Sequence, residues 1–251
     1  MMHNPFSLEG KMVLITGASS GIGRATAIEC SRLGATCIIC GRNEVRLQET
    51  LDALEGTGHT TFIGELTDNE VLQSLVAQVP MLDGVVLCAG IGMTRPFGFC
   101  TPEKFNQVYQ VNLFSPIELL RLFYRKKKLN KGCSVVAVSS MACKGVEHGN
   151  SVYGSSKAAL NHMIHYIAYE WAPYIRVNSV LPGMVETPFT MGEDAAMSAV
   201  SQEQLQQNMQ RYPLKRYGQP EEVAYGIIYL LSDAAAWVTG TDLRIDGGIG
   251  V

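Results

Sequence analysis

Charge is scarce in this chain. Only 17% of its 251 residues are Asp, Glu, Lys or Arg, and their formal balance is −3 at pH 7. So weak and slightly acidic a field offers no general attraction for nucleic acid or anionic lipid, and neither is expected as a partner. No stretch approaches the ~20 apolar residues that cross a bilayer. Met1 to Gly10 lacks the basic-then-apolar order of a secretory signal. The seven cysteines are odd in number and dispersed. A disulfide framework is therefore not expected, and a reducing, cytoplasmic location is. Cys37 and Cys40 do form a C-x-x-C, but within Thr36–Cys40, a run that reads as a strand. A spacing of three there sends the thiols to opposite faces, which makes neither a metal nor a redox pair. Histidine is rarer still. His162 and His165 lie three apart, but no carboxylate or third histidine stands at ligand spacing, so packing is the reading and no metal is expected.

What is present is apolar and periodic. Short runs at Met12–Thr16, Thr36–Cys40, Thr61–Gly64, Val85–Cys88, Ser134–Val138, Val177–Leu181 and Leu243–Asp246 alternate with helical patterns. The helices are expected near Gly23–Leu33, Glu44–Leu54, Asn69–Val79, Pro102–Arg125, Val152–Trp171 and Pro220–Ser232. Apolar runs without alternation suit a parallel sheet covered on both faces. The expected fold is thus α/β, a doubly wound parallel sheet of Rossmann type in a single domain, residues 1–251. A segment around 187–212, with Met191, Met197 and Met209, breaks the rhythm and is expected to be a substrate lid.

The first strand runs into Thr16-Gly17-Ala18-Ser19-Ser20-Gly21-Ile22-Gly23. Glycines at a strand-to-helix turn let the backbone approach a pyrophosphate, and the helix N-terminus supplies amide donors. Gly17, Ser19, Ser20, Gly21, Ile22 and Gly23 are the candidate phosphate-binding residues. Arg42 follows the second strand, where a cofactor without a 2′-phosphate would call for an acid. Its planar cationic fork suits that phosphate, so NADP(H) is favoured over NAD(H).

Tyr153 and Lys157 are four apart in a helical segment and share a face. An ammonium beside a phenol is expected to lower its pKa and make it a usable acid/base. A second Y-x-x-x-K, Tyr124 and Lys128, lacks the context and reads as a solvated helix end. Only Tyr153 has a serine, Ser140, thirteen residues earlier at the end of an apolar strand, where open parallel sheets build their ligand sites.

With these residues in place, the chain resembles the short-chain dehydrogenase/reductase family over essentially its full length. The family's T-G-x-x-x-G-x-G is matched by Thr16–Gly23, its serine by Ser140, and its Y-x-x-x-K by Tyr153 and Lys157. Its catalytic asparagine is matched by Asn112, and its P-G by Pro182-Gly183, followed by Val185 and Thr187. The resemblance implies hydride transfer between NADP(H) and a carbonyl or secondary alcohol. Ser140 would bind the substrate oxygen and Tyr153 move its proton. Lys157 would hold the nicotinamide ribose and lower the Tyr153 pKa, while Asn112 would position a water. Val185 and Thr187 would face the nicotinamide amide. The family's N-N-A-G is here Leu87-Cys88-Ala89-Gly90, which leaves only a backbone approach to adenosine through Ala89 and Gly90. Glu65 stands where an aspartate usually meets adenine, and Ser20 where NADP-preferring relatives are often basic.

The family likeness is strongest to 3-oxoacyl-carrier-protein reductases, although Trp171-Ala172-Pro173-Tyr174 replaces an arginine frequent after their Tyr-Lys helix. Hydroxysteroid and sugar or polyol dehydrogenases are the alternatives. A non-catalytic dinucleotide-sensing module is the reading from another class, but it has no need of all four catalytic residues. Met93, Phe97, Phe99, Met184, Phe189 and Met191 suggest an apolar substrate pocket. Arg125–Lys128 could attract an acidic acyl carrier protein or merely end a helix. A homotetramer or homodimer is expected through the Tyr153 helix, with Met163, Tyr166, Ile167 and Trp171. Val108, Leu113, Ile117, Leu120, Leu122 and Phe123 of its neighbour would join it.

Overall fold

The computed structural model describes residues 4–191 and 202–251. Seven strands form one sheet: β1 (Met12–Thr16), β2 (Thr36–Gly41), β3 (Thr60–Ile63), β4 (Leu82–Leu87), β5 (Leu129–Val138), β6 (Arg176–Pro182) and β7 (Asp242–Ile245). Their spatial order is β3-β2-β1-β4-β5-β6-β7 and every pairing is parallel. The order reverses between β1 and β4, which opens a crevice beyond their C-terminal ends.

Helices cover both faces. On one lie α3 (Asn69–Gln78), α5 (Ser115–Arg125) and α6 (Ser151–Trp171); on the other α1 (Gly21–Arg32), α2 (Glu44–Asp52) and α8 (Pro220–Leu231). Strand residues feed the two cores alternately: Leu14 enters the first, Val13 and Ile15 the second. That division is why the strands read as unbroken apolar runs. Cys37 and Cys40 likewise enter opposite cores, and burial pushes both thiols up to about 12.

The expected helix Pro102–Arg125 is three pieces: α4 (Pro102–Tyr109), a π turn (Gln110–Phe114) and α5. β5 starts five residues before the apolar run, because Leu129 pairs with Leu82 across an irregular, polar opening. Tyr124 and Lys128 are not a merely solvated helix end. Tyr124 stacks on Trp171 at 4.7 Å, and Lys128 Nζ donates to Val79 O at 2.6 Å, capping α3.

The side chains assigned to a subunit interface divide. Val108, Leu113, Leu120, Leu122, Phe123, Ile167 and Trp171 are buried in the chain's own core, with Ile117 packed against it. One sheet face is wide enough to absorb more than a single stripe. Met163, Tyr166 and Tyr169 stay exposed, Tyr169 at 88%.

Candidate active site

The glycine-rich turn lies at the β1/β4 crevice. Thr16 Oγ1 accepts from Cys88 N at 3.0 Å and from Ala89 N at 3.2 Å, tying the two strand ends together. Gly17 has φ +68°, and a Cβ on it would stand 2.8 Å from the Ala89 backbone. Only glycine lets Ala89-Gly90 pass so close. Gly21, φ +51°, lies under Thr187, whose Cγ2 would be 3.1 Å from an added Cβ. Ser20 begins α1 in extended conformation with no side-chain cap, and no acid stands in the first turn. Ser19 abuts Gly41 at the end of β2, and Ile22 anchors the turn in the core. An uncapped helix start behind a glycine cradle fits a dinucleotide's phosphates.

Arg42 lies just past β2, exposed, with Nη1 3.0 Å from Glu65 Oε2. Burial alone would raise the Glu65 carboxyl, but Arg42 and Thr67 outweigh it and hold it below its ordinary value. An exposed pair of this kind contributes at most about 1 kcal/mol. Arg42 can therefore exchange Glu65 for a stronger anion at small cost.

Tyr153 and Lys157 share one face of α6, and Ser140 stands two residues past the end of β5. Ser140 Oγ accepts from Ala142 N at 3.1 Å, and its hydroxyl lies near enough to the Tyr153 phenol to favour the ionised form. Lys157 is buried, its Nζ donating to Val138 O at 2.8 Å and lying 6.0 Å from the Tyr153 ring centroid. Here the expected pKa shift is reversed. Burial pushes the Tyr153 phenol up to about 12, with the Ser140 hydroxyl only partly opposing it. Burial also pushes the Lys157 ammonium down to about 8. The cause is shared desolvation, and the ammonium is directed at a carbonyl instead of the phenol.

Asn112 sits in the π turn, completely buried. Its Oδ1 accepts from Ile91 N and its Nδ2 donates to Ile91 O, both at 2.9 Å, with Ser156 Oγ at 3.1 Å. Both amide protons and one lone pair of the side chain are thus engaged in clamping the loop after β4 to α6. Gly90 faces this clamp: an added Cβ would lie 3.3 Å from Asn112 Oδ1 and 3.4 Å from Lys157 Nζ.

At the end of β6 Pro182 is buried, and the next residue, Gly183, packs on Tyr212 and Asp246. Val185 is buried and pairs with Gly218; Thr187 is buried, its amide donating to Thr190 Oγ1 at 3.1 Å. The proposed lid carries a helix that the sequence pattern did not reveal, α7 (Gln202–Met209), while Met197 lies outside the described residues. Two aromatic residues missed on sequence anchor it. Tyr217 donates to Leu205 O at 2.5 Å, and Tyr212 accepts from Met184 N at 2.9 Å. Nothing but their aromatic character, near the lid's end, hinted at either.

Phe189 stands 6.1 Å from the Tyr153 ring and presses on Gly92. It is the only one of the six pocket candidates in ring contact with Tyr153 among the described residues. Phe97 and Phe99 are instead 71% and 70% exposed, and Phe97 packs edge-on against Phe105. Arg125–Lys128 ends α5, beside the first residues of β4 and β5. That is the opposite edge of the sheet from Tyr153. His165 is held by Asp242 at 2.8 Å, and His162 packs edge-on against Tyr166.

The model of a family described as enoyl-(acyl carrier protein) reductase matches residues 17–250. The chain is 31% identical over 248 residues to the 7alpha-hydroxysteroid dehydrogenase of Escherichia coli, covering 96% of this chain and 94% of that one. It is 33% identical over 243 residues to the 3-oxoacyl-[acyl-carrier-protein] reductase FabG of Rickettsia conorii, covering 96% and 98%. A putative NAD(P)-dependent gluconate 5-dehydrogenase from Beutenbergia cavernae, solved with NADP bound at low occupancy, superposes with a TM-score of 0.87. That match has 30% identity and covers 98% of this chain and 99% of the other.

Proposed function

Because the chain belongs to the short-chain dehydrogenase/reductase family, we propose that it interconverts an apolar ketone and a secondary alcohol with NADP(H), using Tyr153 as acid/base. The carrying observation is the convergence of Ser140, Tyr153 and Lys157 at the crevice end of the sheet, the Ser140 hydroxyl acting on the Tyr153 phenol and Lys157 Nζ 6.0 Å from its ring centroid. Ser140 donates to the substrate oxygen, and Tyr153 gives that oxygen its proton or takes it back. Lys157, one turn along α6, holds the nicotinamide ribose; its charge then offsets the burial that raises Tyr153. Gly17, Ser19, Ser20, Gly21, Ile22 and Gly23 hold the phosphates, with Ala89 and Gly90 at the adenosine and Pro182, Gly183, Val185 and Thr187 at the nicotinamide. The nicotinamide supplies the hydride acceptor or donor. Phe189 against Tyr153 favours a flat or apolar carbonyl compound over a carbohydrate. A carrier protein docked on Arg125–Lys128 would sit at the far edge from its own subunit's Tyr153. A screen of steroids, acyl thioesters and sugars, followed by NADPH absorbance, decides; turnover restricted to sugars overturns the apolar reading.

For Arg42 the expectation is discrimination between cofactors. Arg42→Ala weakens NADPH binding by about 2 kcal/mol, roughly thirtyfold, the range of hydrogen bonds to charged groups. NADH affinity stays put, since only the 2′-phosphate would meet the guanidinium. Fluorescence titration with both cofactors measures this, and equal losses would make Arg42 structural.

We further propose a homodimer or homotetramer through the α6 face carrying Met163, Tyr166 and Tyr169. Light scattering at micromolar concentration is expected to give a multiple of 27.4 kDa. A monomer mass excludes the assembly.

A further inference from the structure

The interface between α6 and the sheet is apolar at Leu160, Ile164, Ile167 and Ala168. Toward β7 a polar node interrupts it. Asp242, the first residue of β7, receives Asn161 Nδ2 at 3.0 Å and His165 Nε2 at 2.8 Å, both from α6. Its other partner is Lys144 Nζ at 2.9 Å, from the segment that follows Ser140. Ser179 of β6 pairs with Asp242 in the sheet register. Ser179 Oγ and Asn161 Oδ1 are buried with no hydrogen-bond partner among the described residues.

Such a node is expensive. Two orphaned buried oxygens cost about 1–3 kcal/mol each, and apolar residues of similar volume would pack at no such cost. Stability therefore does not account for it, whereas its connections do. Lys144 closes the short turn Met141–Cys143, whose cap is Ser140 itself. Ala142 N donates to Ser140 Oγ, Cys143 N to Ser140 O, and Lys144 N to Met141 O. Asn161 and His165 lie one and two turns past Lys157 on the helix that carries Tyr153. One carboxylate thus joins the element bearing Ser140 to the element bearing Tyr153.

We propose that Asp242 is a positioning residue: through Lys144 on one side and Asn161 and His165 on the other, it sets the Ser140 hydroxyl in register with the Tyr153 phenol. The inference rests on Ser140 and Tyr153 being the reacting pair. Burial alone would raise the Asp242 carboxyl, but the bonds from Lys144, His165 and Asn161 outweigh it and hold it low. The carboxylate stays charged at neutral pH and holds all three donors together.

Hydrogen exchange tests the mechanical half without any substrate. In Asp242→Asn and in Lys144→Met, the amides of Ala142 to Gly145 are expected to exchange at least tenfold faster than in the parent. Amides of α8 serve as the control and keep their rate. Lys144 is exposed, so Lys144→Met is not expected to unfold the chain even if Asp242→Asn does. Parent-like exchange in Lys144→Met overturns the proposal. The catalytic half is read with NADPH and whichever ketone of the screen the parent reduces fastest. Both variants are expected to lose about tenfold in kcat with NADPH affinity kept, and the double variant to lose no more than the worse single one. Multiplying losses, or a lowered melting temperature with unchanged kcat, would show a brace for the fold alone. If the parent reduces no ketone while exchange responds as expected, the functional reading fails and the brace between the two elements stands.

Discussion

Tyr153→Phe is expected to lower kcat at least a thousandfold while leaving NADPH affinity within about twofold. The substitution deletes one oxygen and keeps the ring, so Phe189 retains its neighbour at the site. A positioned proton donor contributes typically 10²–10⁴-fold. The upper part of that range is expected here, because the neighbouring Ser140 hydroxyl is already bonded to Ala142 N. A serine hydroxyl is also a far weaker acid than a phenol, so it cannot replace the missing proton. Lys157 Nζ bonds to Val138 O instead of Tyr153, so the face assigned to the ribose is undisturbed. Single-turnover kinetics isolate the chemical step from product release. A kcat within tenfold of the parent under those conditions means the proton comes from elsewhere.

How far this site could be read from sequence depends on the kind of signal each residue carries. The turn Thr16–Gly23 and the Tyr153/Lys157 pair are local patterns, with spacing set by a strand-to-helix turn and by one helical turn, and both were legible. Ser140 was legible because parallel strands deliver their C-terminal ends to one edge. The π turn at Asn112 was not, since Gln110–Phe114 has ordinary helical composition and the contact Asn112 makes there, with Ile91, lies 21 positions away in the chain. The sign of the Tyr153 shift was equally hidden. Sequence showed that an ammonium was four residues away, not that both groups would be buried and aimed differently. Asp242 escaped for a further reason: its partners lie 77, 81 and 98 positions away in the chain, and no spacing rule reaches that far. The interface face of α6 was overread for want of the sheet's width, which takes in Ile167 and Trp171 but leaves Tyr166 and Tyr169 outside.

Gly23→Ala sets two known effects against each other, and their magnitudes decide the sign. Gly23 lies in the first turn of α1 with no left-handed φ. On helix propensity alone alanine would stabilise it by about 1 kcal/mol. But a Cβ there would stand 2.3 Å from Gly17 O and 2.7 Å from Gly17 C. Those are backbone atoms, with no flexible end to swing aside. Gly17 cannot retreat either, because it is packed against the Ala89 backbone on its other side. The turn has to open as a unit, and overpacking of this kind costs typically 1–3 kcal/mol or more. The net expectation is a loss of about 2 kcal/mol, which for a chain of this size lowers the melting temperature by roughly 4–8 °C. NADPH affinity is expected to fall at least a hundredfold, since the opened turn takes its amides away from the phosphates. Gly98→Ala is the matched control: a Cβ there meets nothing within 4 Å, so both quantities are expected to stay at parent values. Calorimetry and fluorescence titration measure the pair. A Gly23→Ala protein as stable as the parent, binding NADPH equally well, would mean that the turn is not closed on its own backbone and does not hold the phosphates.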